Sequence, residues 1–180
     1  TKLVARGGTD VSTGLKFNVE LSAPASATVV NPLTTLIQSY IEKHPGLGLT
    51  ADQAMQAVKT ALGITGSVNL LTVDPIAQAM TGSGAVLTEA IALQAKAAQI
   101  ANLLVTGAAA LVVNNGGSRD SAVKDILDNL TQQIIQAGSA SEPEVLDLAN
   151  TSFVSGLLGL SGSIVDLIVA GNKVSANSLQ

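Results

Sequence analysis

The residues that could do chemistry are few in this chain and stand far apart. His44 is the only histidine, and it lies within residues 43–46, a predicted helix end. A single histidine cannot form a two-histidine metal site, and no Gly-x-Ser-x-Gly segment is present to supply the nucleophile of a triad. A positive charge at a helix end interacts favourably with the helix dipole. We therefore predict a structural role for His44.

The carboxylates show no recognisable catalytic pair. Three of them fall at expected loop or helix-start positions, where capping accounts for them: Asp10, Asp52 and Asp74. Three more follow one amphipathic helix and are expected to face solvent: Asp120, Asp125 and Asp128. The last three surround a turn: Glu142, Glu144 and Asp147. Nothing in this spacing pairs a general acid with a general base, so we predict no catalytic residues.

Two glycine-rich segments resemble ion-binding loops only loosely. Residues 7–14 offer Asp10 and hydroxyls to Ca²⁺, but the EF-hand spacing is absent and Ca²⁺ takes about six to eight oxygens. Residues 114–118 lack the Gly-Lys-Ser/Thr ending of a phosphate-binding loop and follow a helix instead of a strand. Both are predicted to be turns. The acid-labile Asp74-Pro75 dipeptide is predicted to be a capped helix start, so we predict neither a metal site nor a cofactor.

Composition limits the classes of partner. The 180 residues suffice for one domain, but only 12% are charged, against roughly 25% in typical soluble domains. Aromatic residues make up 2% of the chain, so the core must be aliphatic. The net charge is −4 and the nine cationic residues form no cluster, which argues against a nucleic-acid partner. The chain has no cysteine. It begins at Thr1 without a signal-like segment, and we expect it to be a processed product or a piece of a longer protein.

The stretch 84–114 is the element around which the other helices are expected to pack. It contains no proline, one internal glycine and two charged residues. Its polar residues recur at helical spacing: Glu89, Lys96, Gln99, Asn102 and Thr106. This pattern predicts a long helix with one narrow polar stripe on an otherwise apolar surface. Such a helix needs neighbours on most sides, so we predict a helical bundle with this helix at its centre.

The other elements follow from capping signals and periodicity. Strands are predicted at residues 3–5 and 16–21, joined as a β-hairpin with a long loop. Helices are predicted at residues 32–43, 51–62, 75–80 and 120–137, and a short helix or turn at 144–150. Residues 151–171 are predicted to be one helix or two, broken near Gly162, and residues 172–180 a frayed tail. Residues 67–73 are predicted to be an apolar connector with β character.

These elements predict a mainly α fold, a helical bundle around a long central helix with a small N-terminal β-hairpin. The predicted domains are residues 1–30, the hairpin and its connector, and residues 31–180, the helical bundle. Residues 153–170 are apolar enough to raise the question of a membrane, with small residues four apart. Asp166 and the many serines and glycines lower the tendency to insert, so we favour a buried bundle helix over membrane contact.

Four phrases carry a resemblance to a known kind of module. They are GGTDVSTGL at residues 7–15, LSAP at 21–24, VVNPLTTLI at 29–37 and VNLLTVDPIA at 68–77. Together and in this order they resemble a helical module of very large secreted or surface-displayed bacterial proteins. In those proteins the module sits among Ig-like, cadherin-like or RTX-type regions. The resemblance implies an extracellular or cell-surface, structural or adhesive setting, and it brings no catalytic residues.

Three functional hypotheses remain. The first is a non-enzymatic structural or self-associating module of a bacterial cell-surface or extracellular assembly, in which the hairpin edge could extend a neighbour's sheet by strand addition. The second is a module that binds an apolar ligand, such as a lipid or a pigment, between helices. The third, an enzyme of unrecognised type, has the weakest support because the usual catalytic constellations are absent.

Overall fold

A computed structural model describes residues 1–9, 17–140 and 144–177. Within these residues the protein is mainly α, with an antiparallel pair of N-terminal strands, which confirms the predicted fold class. The strands are β1, Lys2–Ala5, and β2, Leu21–Pro24. The helices are α1, Pro32–Glu42; α2, Ala51–Leu62; α3, Pro75–Thr81; α4, Gly84–Asn102; α5, Ala108–Asn115; α6, Arg119–Ser139; α7, Thr151–Leu158; and α8, Ser163–Asn177.

Side-chain caps set the starts of α1, α2 and α3, as predicted. The Asn31 side chain accepts a hydrogen bond from the Thr34 N–H, and the Thr34 hydroxyl accepts one from the Asn31 N–H. Thr50 and Gln53 form the same reciprocal arrangement at the start of α2. Asp74 caps α3. Each cap satisfies N–H groups that have no partner inside the helix, so these boundaries could be predicted from local sequence.

The central helix is present and extends one residue beyond the predicted stretch 84–114. Helices α4 and α5 are joined by a π-helical turn, Leu103–Gly107, into one helical run of 32 residues, Gly84–Asn115. The run packs against α1, α3, α6 and α8. Its first turns are less covered than expected, since the side chain of Val86 is 45% exposed. The last turn is also open, with Val113 88% exposed, so the neighbours enclose mainly the middle of the helix.

The core is aliphatic, as the composition requires. The largest fully buried side chains are all leucines and isoleucines: Leu33, Leu36, Ile37, Leu62, Leu93, Ile100, Leu103, Leu104, Ile126, Leu130, Ile134 and Leu148. At Gly107, an added Cβ would come within 3.2 Å of Ile126 Cδ1 and 3.3 Å of Leu158 Cδ2. The absence of a side chain at this point lets the central helix approach its neighbours closely.

Three predictions about local structure are wrong. The second strand lies at Leu21–Pro24, where the backbone of Ser22 is anchored to hydroxyl groups of α1, and residues 17–20 of the predicted strand 16–21 are outside it. Residue 16 lies outside the described residues. Residues 67–73 contain turns and no strand. Of the predicted frayed tail at residues 172–180, residues 172–177 instead continue α8, and Asn172 is completely buried. Residues 178–180 lie outside the described residues. Residues 151–171 do form two helices, separated by Gly159 in a left-handed conformation with φ 62°.

Candidate functional site

His44 has a structural environment. Its Nδ1–H donates a hydrogen bond of 2.8 Å to the Tyr40 carbonyl oxygen. The two rings lie 4.5 Å apart, centroid to centroid. His44 follows the end of α1, as predicted, and its ring satisfies a carbonyl of the last helical turn, which would otherwise lack a partner.

The carboxylates are used for caps and ion pairs. Asp74 Oδ1 accepts hydrogen bonds from the N–H groups of Ile76 and Ala77. Asp128 is not simply solvated, since its Oδ2 lies 3.1 Å from Lys43 Nζ and 2.9 Å from Lys124 Nζ. Burial by itself would raise the pKa of Asp128, but the hydrogen bonds from these lysines together outweigh it, and the pKa lies below its ordinary value.

The remaining acidic residues do not converge on a common centre. Asp52 lies in the first turn of α2, Asp125 is exposed, and Asp147 Oδ1 accepts a hydrogen bond from the Ala149 N–H. Asp10 and Glu142 lie outside the described residues. Within residues 1–9, 17–140 and 144–177, no group of three His, Asp or Glu side chains is placed to hold a metal ion.

The segment at residues 114–118 is a turn between α5 and α6, as predicted. Gly116 and Gly117 have φ of 77° and 90°, conformations that favour glycine, and both are exposed. Most of the other glycine-rich segment lies outside the described residues. Its first three residues, Gly7 to Thr9, line a cleft described below.

The β-hairpin has one closed edge and one open edge. β1 and β2 pair antiparallel with Val4 opposite Ser22. On the outer side of β2, the Ser22 N–H donates to Thr35 Oγ1 at 3.0 Å, and both the Thr34 and Thr35 hydroxyls donate to the Ser22 carbonyl. Helix α1 therefore closes this edge of the sheet with side-chain groups.

The closed edge fixes which backbone groups of β1 face outward. In an antiparallel ladder, opposed residues alternate between pairs that exchange hydrogen bonds and pairs that do not. Because the N–H and C=O groups of Ser22 both point to α1, Val4 and Ser22 form a pair of the second kind. Lys2 lies two residues before Val4 and opposite Pro24, which has no N–H and whose carbonyl accepts from Ala27. The N–H and C=O groups of Lys2 and Val4 therefore point away from β2. No described residue makes a hydrogen bond to them.

The usual protections of an edge strand are weak here. Native proteins guard such edges with charges, proline or bulges. The apolar Leu3 and Val4 side chains are 38% and 46% exposed. Lys2 is drawn toward α1, where its Nζ lies 2.9 Å from Glu42 Oε1. Burial alone would raise the pKa of Glu42, but hydrogen bonds from Lys2 and Gln38 together lower it. The open edge of β1 is the first candidate interaction site.

A cleft of about 650 Å³ is the second candidate site. It lies between the residues that follow β1 and lead into β2, the start of α1, the start of α3 and one face of α4. Its apolar walls include Phe17, Leu21, Val29, Val30, Pro32, Pro75, Ile76, Ala97, Ala98 and Ala101. Its polar groups include Asn31 and Asp74, whose carbonyl and carboxylate oxygens already cap helices, and Gln94. Gln94 makes no hydrogen bond to another described residue. The volume falls within the range of ~300–1,000 Å³ that is usual for ligand pockets.

Three residues of the predicted polar stripe, Gln99, Asn102 and Thr106, form an interhelical hydrogen-bond cluster with Asn172 of α8. We call these four residues the carboxamide cluster. Asn102 Nδ2 donates to Asn172 Oδ1 at 2.8 Å and to the Ile168 carbonyl at 2.9 Å. Gln99 Nε2 donates to the Asn172 carbonyl, and the Thr106 hydroxyl donates to Asn102 Oδ1.

Helical spacing correctly predicts that Gln99, Asn102 and Thr106 share one face of the central helix, but it does not identify α8 as their partner. Gln99 is 4% exposed, and its Oε1 is buried without a hydrogen-bond partner among the described residues. In the sequence, the indication of this cluster is the pair of amides, Gln99 and Asn102, on an otherwise apolar helix, together with a further amide, Asn172, in a second apolar segment. Because its members bond mainly to one another and to backbone carbonyls, the cluster joins α4 to α8 and is not an open binding site.

Lys96 lies in a shallow groove of about 440 Å³ along α4, beside the carboxamide cluster. Burial lowers its pKa, and the charge of Asp147 acts in the opposite direction. No hydrogen bond joins its amine to another described residue. A half-buried amine with no hydrogen-bonded acid or base among the described residues indicates no particular reaction.

In the described part of the chain, one helix is long and apolar enough to cross a membrane. It is Gly84–Asn115, with a mean hydropathy of 1.5 over its most apolar window, of which 44% is buried inside the protein. The core helix of a soluble bundle meets the same criteria. A buried bundle helix therefore stays favoured over membrane contact. The helix that meets these criteria is Gly84–Asn115, and residues 153–170 do not form a single helix.

Comparison with protein-family models, with curated proteins and with solved structures finds no match to this chain.

Proposed function

We propose that this chain is a non-enzymatic structural module that associates with other copies of itself in a bacterial cell-surface or extracellular assembly. The observation that carries the proposal is the open edge of β1, where Lys2 and Val4 present backbone groups without a described partner. An exposed strand edge with apolar side chains is a template for strand addition. The extracellular setting is supported by the resemblance of residues 7–77 to modules of large surface proteins.

The distribution of charge favours contact between copies. Only 12% of the residues are charged, and the net charge of −4 is small for a chain of 180 residues. Long-range repulsion between copies is therefore weak, and at physiological ionic strength it is screened beyond about 8 Å. A partner can approach the edge of β1 at little electrostatic cost.

Self-association is tested by measuring the mass in solution. Light scattering coupled to size exclusion, from low micromolar to millimolar chain concentration, is expected to show a mass that rises from one chain to a larger, defined assembly. A mass of one chain at every concentration would contradict the proposal. A variant with the hairpin edge altered, described below, serves to locate the contact.

A second candidate function is binding of an apolar ligand between the hairpin and the helices. The cleft of about 650 Å³ favours it, because its walls are largely apolar and its described lining residues include no lysine or arginine. The carboxylate of Asp74, with no cation beside it among the described lining residues, disfavours an anionic ligand. A neutral lipid or pigment, with a polar group that reaches Gln94, fits this chemistry.

The second candidate is tested with the neutral, environment-sensitive dye Nile red. We expect its fluorescence to rise on binding to the native chain, and Ala98→Phe, which fills the cleft from α4, to abolish the rise. Ala85→Phe is the matched control, since Ala85 is exposed on the same helix and outside the cleft. A rise that persists in Ala98→Phe, or none with the native chain, argues against ligand binding in this cleft.

A further inference from the structure

The free edge of β1 restricts the geometry of any pairing between copies, and this inference rests on the proposed function. In the described part of the chain the sheet has two strands, and α1 closes the outer edge of β2. One edge is left for pairing. Two copies that use the same edge form an isologous contact, which closes after two chains and does not propagate into a fibre.

Symmetry then sets the direction of the strands. A two-fold axis perpendicular to the sheet relates the two β1 strands, so the strands run antiparallel and form the order β2-β1-β1-β2. The sheet keeps the same face toward helix α1 in both copies. Antiparallel pairing also needs no change in the hairpin itself, because its outward backbone groups are already in place at Lys2 and Val4.

Outward-facing and inward-facing backbone groups alternate along β1, and this leaves three possible registers between the β1 strands of two copies. Outward-facing residues must form the hydrogen-bonded pairs of the new ladder. A register centred on Lys2 would place two lysines directly opposite each other. A register centred on Val4 would place Lys2 of one copy opposite Arg6 of the other. Like charges directly opposite each other destabilise a strand pair.

The third register is centred on Leu3 and avoids both conflicts. It pairs Lys2 of each copy with Val4 of the other, so every outward backbone group of the two strands finds a partner. The two Leu3 side chains, each 38% exposed in the single chain, then lie side by side at the axis. We infer that a second copy of this chain binds to β1 as an antiparallel strand, with the two-fold axis between the two Leu3 residues.

The register can be tested by disulfide formation, because the chain has no cysteine of its own. Residues at the axis form a pair without hydrogen bonds, with Cα atoms ~4.5 Å apart, which a disulfide can bridge. We expect Leu3→Cys to form a covalent dimer under mild oxidation. In Val4→Cys the two cysteines are offset by two residues, more than ~7 Å, and we expect it to stay monomeric on a denaturing gel.

The contact itself is tested by removing one outward donor. Val4→Pro deletes the outward N–H, and proline is tolerated on an edge strand at such a position. We expect it to lose the dimer in light scattering while its thermal unfolding remains cooperative. Val4→Thr keeps the N–H and a similar shape, and we expect it to dimerise like the native chain.

The possible outcomes separate the inference from the function on which it rests. Preferential cross-linking of Val4→Cys, or a native dimer that neither cysteine traps, overturns the register and leaves self-association standing. A dimer that survives in Val4→Pro also overturns the inference. A native chain that remains monomeric at every concentration overturns both the inference and the proposed function. Cross-linking of Leu3→Cys with loss of the dimer in Val4→Pro supports both.

Discussion

At the scale of the residue, buried amide side chains join separate helices by hydrogen bonds. Asn172 is completely buried, its Oδ1 accepts from Asn102, its carbonyl accepts from Gln99, and its Nδ2 donates to the Leu148 carbonyl. A single side chain therefore connects the central helix, α8 and the segment before α7. Because these groups have little access to water, each must find its partner within the protein.

Asn172→Ala is expected to destabilise the protein by about 1–3 kcal/mol, because it removes the side-chain donor of the buried Leu148 carbonyl and one of the two acceptors of the Asn102 amide. Chemical denaturation at neutral pH measures the free energy of unfolding. Lys173→Ala, at the next position on the exposed side of α8, is the control and should change it by no more than about 0.5 kcal/mol. Equal effects of the two substitutions would contradict the role assigned to Asn172.

The polar stripe of the central helix shows which features helical spacing can predict and which it cannot. Glu89, Lys96, Gln99, Asn102 and Thr106 were predicted to form one stripe because helical spacing alone puts them on one face. Whether that face meets water or another helix depends on contacts about 70 positions away in the chain, which spacing cannot give. Asn172 was assigned to a frayed tail for the same reason, since its environment is built by distant residues.

At the scale of the element, helix ends are the best-predicted features. Gly63 ends α2 in a left-handed conformation with φ 65°, and its N–H donates to carbonyls of the last turn. A Cβ at this position would come within 2.9 Å of Val145 Cγ1. The glycine is therefore required both by the backbone conformation and by a neighbouring side chain.

We expect Gly63→Ala to cost about 1–2 kcal/mol from the left-handed conformation alone, with a further loss from the contact with Val145. Gly138→Ala is the matched control, since Gly138 is in helix α6 and an added Cβ meets nothing within 4 Å. That substitution is expected to be neutral or to stabilise by up to about 1 kcal/mol. Thermal unfolding of the two variants measures the contrast, and similar shifts in both would refute this account.

The strand β2 was the element that sequence pattern misplaced. Its alternation of apolar and polar residues begins before Leu21, where the pattern predicted a strand, and Val19 is indeed buried. Strand pairing starts only at Leu21, because Ser22 is fixed by the Thr34 and Thr35 hydroxyls. A half-buried segment and a paired strand share the same side-chain period, and a tertiary contact decides between them.

At the scale of the whole molecule, two ion-pair groups join separate elements. Lys2 and Glu42 link β1 to α1, while Lys43 and Asp128 link the end of α1 to α6. The pKa of Asp128 is lowered in the folded protein. Its contribution to stability is therefore fully present above the ordinary value of 3.8 and is lost as the pH falls through the lowered pKa of the folded state.

Asp128→Asn is expected to reduce the free energy of unfolding at neutral pH by less than about 1 kcal/mol, because partly exposed pairs are screened by water and salt. Below the folded-state pKa of Asp128 the difference between the variant and the native chain should vanish. Denaturation curves for both proteins at neutral and acidic pH measure this convergence. A difference that grows as the pH falls would show that the ion pair is not its source.

The sequence by itself determined the mainly α class, the central helix, the three capped helix starts and the aliphatic core, because periodicity, caps and composition act locally. It also indicated that no recognised catalytic motif is present. Only the tertiary structure decided that α8 covers the polar stripe, that α1 closes one edge of the hairpin, and that Lys2 and Val4 face outward on the other. These features depend on hydrogen bonds between residues distant in the chain, and local pattern carries no information about such partners.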